Sequence, residues 1–142
     1  MGTVSSILRM KYKIIEESLS VMEEIVNKSI DDVVIDAKLG YALKGALLFF
    51  IQGLLDIANY VVVSRDMTPT SYRDIFGMLL NAKMIGGEFL GLLNEIVVMR
   101  NKLLFAYDTV DVKSAYEFVL RNLAAMRELY HKLVRLGGEV GA

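Results

Sequence analysis

Residues 45–64 read GALLFFIQGLLDIANYVVVS. The stretch is long enough to cross a bilayer, and the fold class turns on whether it does. Gln52, Asp56 and Asn59 lie in its middle, and a single central aspartate costs about 2.5–3.5 kcal/mol on insertion scales. Lys44 and Arg65 flank the stretch without a charge asymmetry that would set an orientation. It therefore reads as the buried central helix of a bundle rather than a membrane span. The opening MGTVSSILRMKYK has no hydrophobic run followed by a cleavage site and does not read as a signal peptide. A cytoplasmic location is expected.

Outward from that helix the chain is helical in both directions. Leu8, Tyr12, Ile15, Leu19, Met22 and Val26 step by four and three, which marks a first helix from about Ser6 to Lys28. Glu16, Glu17, Glu23 and Glu24 fall off that stripe, as a solvated face does. Ser29-Ile-Asp-Asp32 reads as the start of the second helix, expected to run from about Asp32 to Ser64. Residues 65–71 break the pattern, with Thr68 as a cap and Pro69 suited to a first helical position. A short third helix spans Tyr72 to about Ala82, with Ile75, Phe76, Leu79 and Leu80 inward. Gly86-Gly87 punctuates, without the lysine-serine pair of a phosphate-binding loop. A fourth helix follows from about Glu88 to Leu104. The fifth spans Val112 to Leu136, where Val112, Tyr116, Val119, Leu123, Met126, Tyr130 and Leu133 again step by four and three. Gly137-Gly138 reads as its stop, leaving 137–142 as a flexible tail. At 142 residues this is one domain, all-α, an antiparallel bundle of about five helices.

Composition narrows the chemistry. A formal net charge of −1 excludes broad electrostatic affinity for nucleic acid, so any RNA contact must come from a local patch. No cysteine means no disulfide framework and no thiolate ligand or nucleophile, and a single histidine, His131, excludes a His-rich metal cluster.

Polar residues that break the apolar pattern are the candidate functional positions. Phe89, Leu93, Ile96, Arg100, Leu104 and Tyr107 form one continuing stripe, so Arg100 stands where an apolar residue is asked for. It is either an arginine snorkelling at a helix end or an anion-binding guanidinium at the mouth of a cleft. Gln52, Asp56 and Asn59 make a polar stripe on the central helix, and Asp56 is the natural carboxylate to hold Arg100 if the two helices pack side by side. That pair would serve equally as a register-fixing ion pair or as an orienting device. Arg127, His131 and Arg135, with Lys132 beside them, form a basic stripe that suits the last turn of a helix.

Residues 100–108 read Arg-Asn-Lys-Leu-Leu-Phe-Ala-Tyr-Asp. This resembles the signature of HepT-like proteins of the HEPN superfamily, in which Arg-Asn is followed after a fixed gap by His-x-Tyr. Leu54-Leu-Asp-Ile-Ala-Asn59 is similar to the family's second-helix segment, and Pro69-Thr-Ser-Tyr72-Arg-Asp74 to its loop into helix three. The resemblance is strongest over residues 40–120. It implies a helical homodimer with the motif lining a cleft near the twofold axis. It implies metal-independent endoribonuclease activity that needs no cofactor. It also implies a toxin–antitoxin partnership with a minimal nucleotidyltransferase, which adds adenylate to the motif tyrosine. Carried over by position, Arg100 and Asn101 match the catalytic pair and Tyr107 matches the modified tyrosine, with Asp56 in support. The catalytic histidine falls on Phe105, which has no titratable group. Two functions stay open: a module that docks a nucleotidyltransferase while RNA cleavage is weakened or lost, and an active endoribonuclease toxin using Arg100 with another proton-transfer group such as His131.

Overall fold

The computed structural model describes the backbone of residues 2–141 and the side chains of residues 6–138. Six α-helices follow in order: α1 Gly2–Val26, α2 Ile30–Ile35, α3 Ala37–Ser64, α4 Tyr72–Asn81, α5 Leu90–Phe105 and α6 Val112–Gly141. Two 3₁₀ turns, Gly87–Phe89 and Tyr107–Thr109, lead into and out of α5. No strand occurs among the described residues. The all-α bundle is thus the fold, with one helix more than the periodicity suggests.

The extra helix comes from Asp36. Its backbone is extended, and its side chain accepts from the amides of Lys38 and Leu39, so it caps α3 and separates α2 from it. Ser29 caps α2 by accepting from Asp32 N–H, where the sequence places a helix start. Two further boundaries differ from expectation. Ser71, not Thr68, caps α4 by accepting from Asp74 N–H, and Pro69 stays in the loop. The Asp74 carboxylate reaches back to Thr70 N–H at 2.8 Å, a reciprocal arrangement that Thr68 lies too early to make. At the other end, α6 runs through Gly137-Gly138 to Gly141 instead of stopping at Leu136. Neither glycine takes a positive φ, the conformation that ends a helix. Gly137 instead lets α6 approach α1, since a Cβ there would stand 2.9 Å from the Tyr12 hydroxyl. The expected tail over 137–142 is therefore helical as far as Gly141, and Ala142 lies outside the described residues.

α3 is the central element and packs most extensively on α1 and α6. Phe50, Leu43, Leu47, Ile51, Leu54, Leu55 and Ile57 on it are all fully buried. Length and hydropathy alone would let Ala37–Ser64 cross a membrane; in the bundle, 61% of its apolar window is buried. Lys11 meets Asp56 and a Gly53 Cβ would meet Ile15, so α1 and α3 run antiparallel. Gln52 meets Arg100 and Lys44 meets Val110, so α5 returns antiparallel to α3. Tyr116 bonds to the Val26 and Lys28 carbonyls, Arg127 to Glu23, and Tyr130 to Glu16, so α6 descends along α1 in the opposite sense.

Candidate functional site

Three helices, α3, α4 and α5, meet at Arg100, and α1 joins them through Asp56. α5 presents the arginine half-buried, because the buried face of this helix runs through Leu92, Ile96, Met99 and Leu103. The expected stripe holds through Phe89, Leu93 and Ile96 and then leaves the core: Leu104 and Tyr107 are exposed. Arg100 sits where the stripe crosses from core to solvent, so its stem packs while its head reaches polar groups.

The arginine's partner is not Asp56. Its Nε donates to Gln52 Oε1 at 2.8 Å, one turn before Asp56 on α3. Gln52 Nε2 in turn donates to Asp56 Oδ1 at 2.9 Å and to the Tyr72 hydroxyl at 3.4 Å. The Asp56 carboxylate is occupied by Lys11 of α1, at 2.8 Å from Oδ2. The direct ion pair expected from the sequence is therefore replaced by a relay, Lys11–Asp56–Gln52–Arg100. The reason is reach: Lys11 comes from a helix packed along α3 and arrives as the nearer cation. Arg100 also lies over the Tyr72 ring, 4.6 Å from its centroid, and its Nη1 donates to Asn101 Oδ1 at 3.1 Å. Asn59, the third member of the polar stripe, is exposed and lines a hollow of ≈ 370 Å³ together with Asp56, Thr70, Ser71 and Tyr72.

Beyond Arg100 the helix ends abruptly. Ala106 turns out of helical geometry (φ −139°, ψ 43°). Thr109 holds the turn, its hydroxyl and its amide both donating to the Ala106 carbonyl. Phe105 is thus the last residue of α5 and Tyr107 the first of the 3₁₀ turn. Phe105 is 78% exposed and Tyr107 70% exposed. Five residues after Arg100, Phe105 lies about 140° round the helix from it, so the two do not share a face. Tyr107 borders a groove of ≈ 620 Å³ with Tyr41, Lys44, Leu48, Leu103 and Asp108. Lys44 is held there between the Val110 carbonyl, at 3.2 Å, and the Tyr41 ring.

His131 belongs to another part of the molecule. Its ring is exposed on α6 and lies against Tyr130, 5.6 Å between centroids and tilted by 43°. Tyr130 donates to Glu16 Oε2 at 2.7 Å. Burial first, and then that carboxylate, hold the phenol well above the usual tyrosine range. The basic stripe does not complement a helix terminus either, because α6 continues past it to Gly141. Arg127 is spent on Glu23 of α1. Of the predicted site residues, the structure brings together Arg100, Asn101 and, through Gln52, Asp56. It leaves Phe105 and Tyr107 exposed at the C-terminal end of α5, with Phe105 off the face that carries Arg100. Lys11 and Tyr72 are not legible as site residues from sequence: Tyr72 reads as part of a loop and helix start, and Lys11 lies in Arg9-Met-Lys-Tyr-Lys13 on α1 with no pattern to mark it.

A family model for HepT-like ribonucleases matches residues 15–133. The match covers most of the chain and every residue of the site just described except Lys11, and the chain belongs to the HepT-like ribonuclease family, within the HEPN superfamily. No curated protein and no solved structure matches it.

Proposed function

We propose that this chain is the HepT-like member of a toxin–antitoxin pair. In this reading its Arg100–Asn101 site binds RNA phosphate, its cleavage activity is weakened or lost, and a minimal nucleotidyltransferase docks on it and modifies Tyr107. One observation carries the reading. The position that would supply an imidazole is Phe105, which stands 78% exposed about 140° round α5 from an arginine that Gln52, Asn101 and Tyr72 orient. Cleavage through the ribose 2′-hydroxyl needs a group that moves protons near neutral pH, and losing one costs about 10²–10⁴-fold. The guanidinium keeps its capacity for charge-assisted bonds to phosphate oxygens.

Adenylylation of Tyr107 is supported by its accessibility, since a transferase would reach the hydroxyl without opening the fold. In that step the Tyr107 oxygen forms a bond to the α-phosphorus of ATP and pyrophosphate leaves. The phenol proton passes to a base on the transferase. A homodimer fits the same reading. Ile7, Met10, Ile14 and Val21 form a second, exposed apolar stripe on α1. Ile14 and Val21 join Ala42, Gly45 and Phe49 of α3 around an apolar groove of ≈ 510 Å³. Two such faces meeting about a twofold axis would cover both. A cytoplasmic setting, where RNA and ATP are available, belongs to the proposal.

The test is incubation with a cognate minimal nucleotidyltransferase and ATP, followed by peptide mass spectrometry. Adenylate on Tyr107 is the expected result. Adenylate elsewhere, or none, sinks the modification claim.

A further inference from the structure

An arginine that leaves the core needs an acceptor, and the acceptor's charge decides what the arginine can still do. A carboxylate would orient Arg100 and also neutralise it. The acceptor here is the Gln52 amide, at 2.8 Å from Nε. The Asn101 side chain, on Nη1 at 3.1 Å, is equally uncharged. The Tyr72 ring below the guanidinium is a third neutral contact. The nearest carboxylate in the relay, Asp56, has its charge matched by Lys11 at 2.8 Å. Lys11, Asp56, Gln52 and Arg100 together therefore carry one uncompensated positive charge, on the outermost member. Among the described residues no acceptor is bonded to Arg100 Nη2, which leaves those donors for a ligand.

The orientation of the amide follows from its neighbours. Its NH₂ group faces the Asp56 carboxylate and the Tyr72 hydroxyl oxygen, which accept. Turned the other way, NH₂ would confront a guanidinium that has donors only. The relay thus fixes which end of Gln52 the arginine meets.

We propose that Gln52 is a positioning residue: it holds the Arg100 guanidinium through a neutral amide, so that the charge is kept for an RNA phosphate. The inference rests on the RNA-binding reading above and deepens it. It gives Gln52 a role distinct from packing, because glutamate has nearly the same shape and reach and could hold the same arginine while cancelling its charge.

The experiment measures binding of a labelled, unstructured oligoribonucleotide at a series of salt concentrations, to the intact protein and four variants. Each phosphate contact on a single strand contributes about 0.7 to the slope of log K against log salt. Arg100→Ala should weaken binding on the order of tenfold at low salt and reduce the slope by about that amount. Gln52→Glu should reproduce both changes while still folded at the assay temperature, with a lowered melting temperature because its second oxygen meets Asp56 Oδ1 in place of the amide donor. Gln52→Met, which loses the acceptor but adds no charge, should weaken binding several-fold with the slope unchanged. Asn59→Glu places the same charge two turns further along α3 and should leave binding near the parent's. If Arg100→Ala binds like the parent, the RNA-binding reading fails and the inference with it. If Arg100→Ala weakens binding while Gln52→Glu does not, the reading stands and the role of Gln52 is overturned. An equal loss in Asn59→Glu would show a general field effect and overturns it too. Should Gln52→Glu fail to fold, Gln52→Met decides: a reduced slope there contradicts the proposal.

Discussion

A phenylalanine is usually placed by what it gains on leaving water, about 1.5–3 kcal/mol for full burial. Phe105 gains little of this within one protomer, since most of its ring stays in solvent at the end of α5. Phe105→Ala should therefore change the stability of the isolated protomer by less than about 0.5 kcal/mol in urea titration. A loss above ~2 kcal/mol would mean that the ring is covered. The relay around Arg100 yields a second expectation. A buried pair broken at one partner costs about 3–5 kcal/mol; Asp56 and Lys11, however, keep 31% and 37% of their side-chain surface exposed. Asp56→Ala should cost about 1 kcal/mol, near the range of partly exposed pairs. At this scale the sequence marked Arg100 and the Gln52–Asp56–Asn59 stripe as violations, because each breaks an otherwise apolar period. Which cation takes Asp56 was illegible. The answer lies 45 residues upstream, on a helix whose rotation about α3 no local pattern specifies.

The helices were legible from their stripes, and every member of the α1 and α6 stripes is buried or half-buried. Their ends were not, because several nearby residues can cap and only geometry chooses among them. Asp36 within what reads as one helix, and Ser71 two residues beyond the only proline, are both such choices. Glycines show the same divide between composition and context. Gly77 on α4 has open space where a Cβ would stand, so Gly77→Ala should gain about 0.5–1 kcal/mol from helix propensity. At Gly53 a Cβ would stand 2.5 Å from Ile15 Cγ1, and Ile15 is fully buried. Gly53→Ala should lose about 1–2 kcal/mol, since overpacking outweighs the same propensity gain. Thermal or urea unfolding of the two variants checks the opposite signs. The start of α6 adds a pH dependence. Asp111 accepts from Ser114 N–H at 2.7 Å, and that bond holds its carboxyl below the usual range. A depressed folded-state pKa contributes stability above the unfolded value, and this is lost as pH falls through the folded one. Parent and Asp111→Ala should accordingly differ at neutral pH and converge in acid; a gap that persists in acid would argue against the cap.

At the scale of the whole molecule the apolar excess of α3 is only partly resolved by the bundle. Phe49 remains exposed on the face that adjoins the second stripe of α1, and Tyr41 remains exposed at the groove that Tyr107 borders. Sedimentation velocity at micromolar concentration should show a dimer, and Phe49→Glu should shift it to monomer while the helical signal is retained. A parent that sediments only as monomer would remove the shared cleft from the proposal. The antiparallel bundle and the family were legible because they depend on period and on a short motif. Whether the site is whole was not, because it depends on side chains from three helices meeting at one arginine and on a fourth helix that supplies Lys11 to Asp56.

In the proposed reading this site lacks a proton-transfer group, and a comparison of RNA cleavage rates tests that most directly. The parent should cleave a single-stranded RNA substrate very slowly. Phe105→His should raise the rate, on the order of 10²-fold if the surroundings orient the new imidazole. Adding Arg100→Ala to that variant should abolish the gain. Rapid cleavage by the parent that His131→Ala stops would contradict this reading, because the catalytic group would then lie on α6 and not at the end of α5.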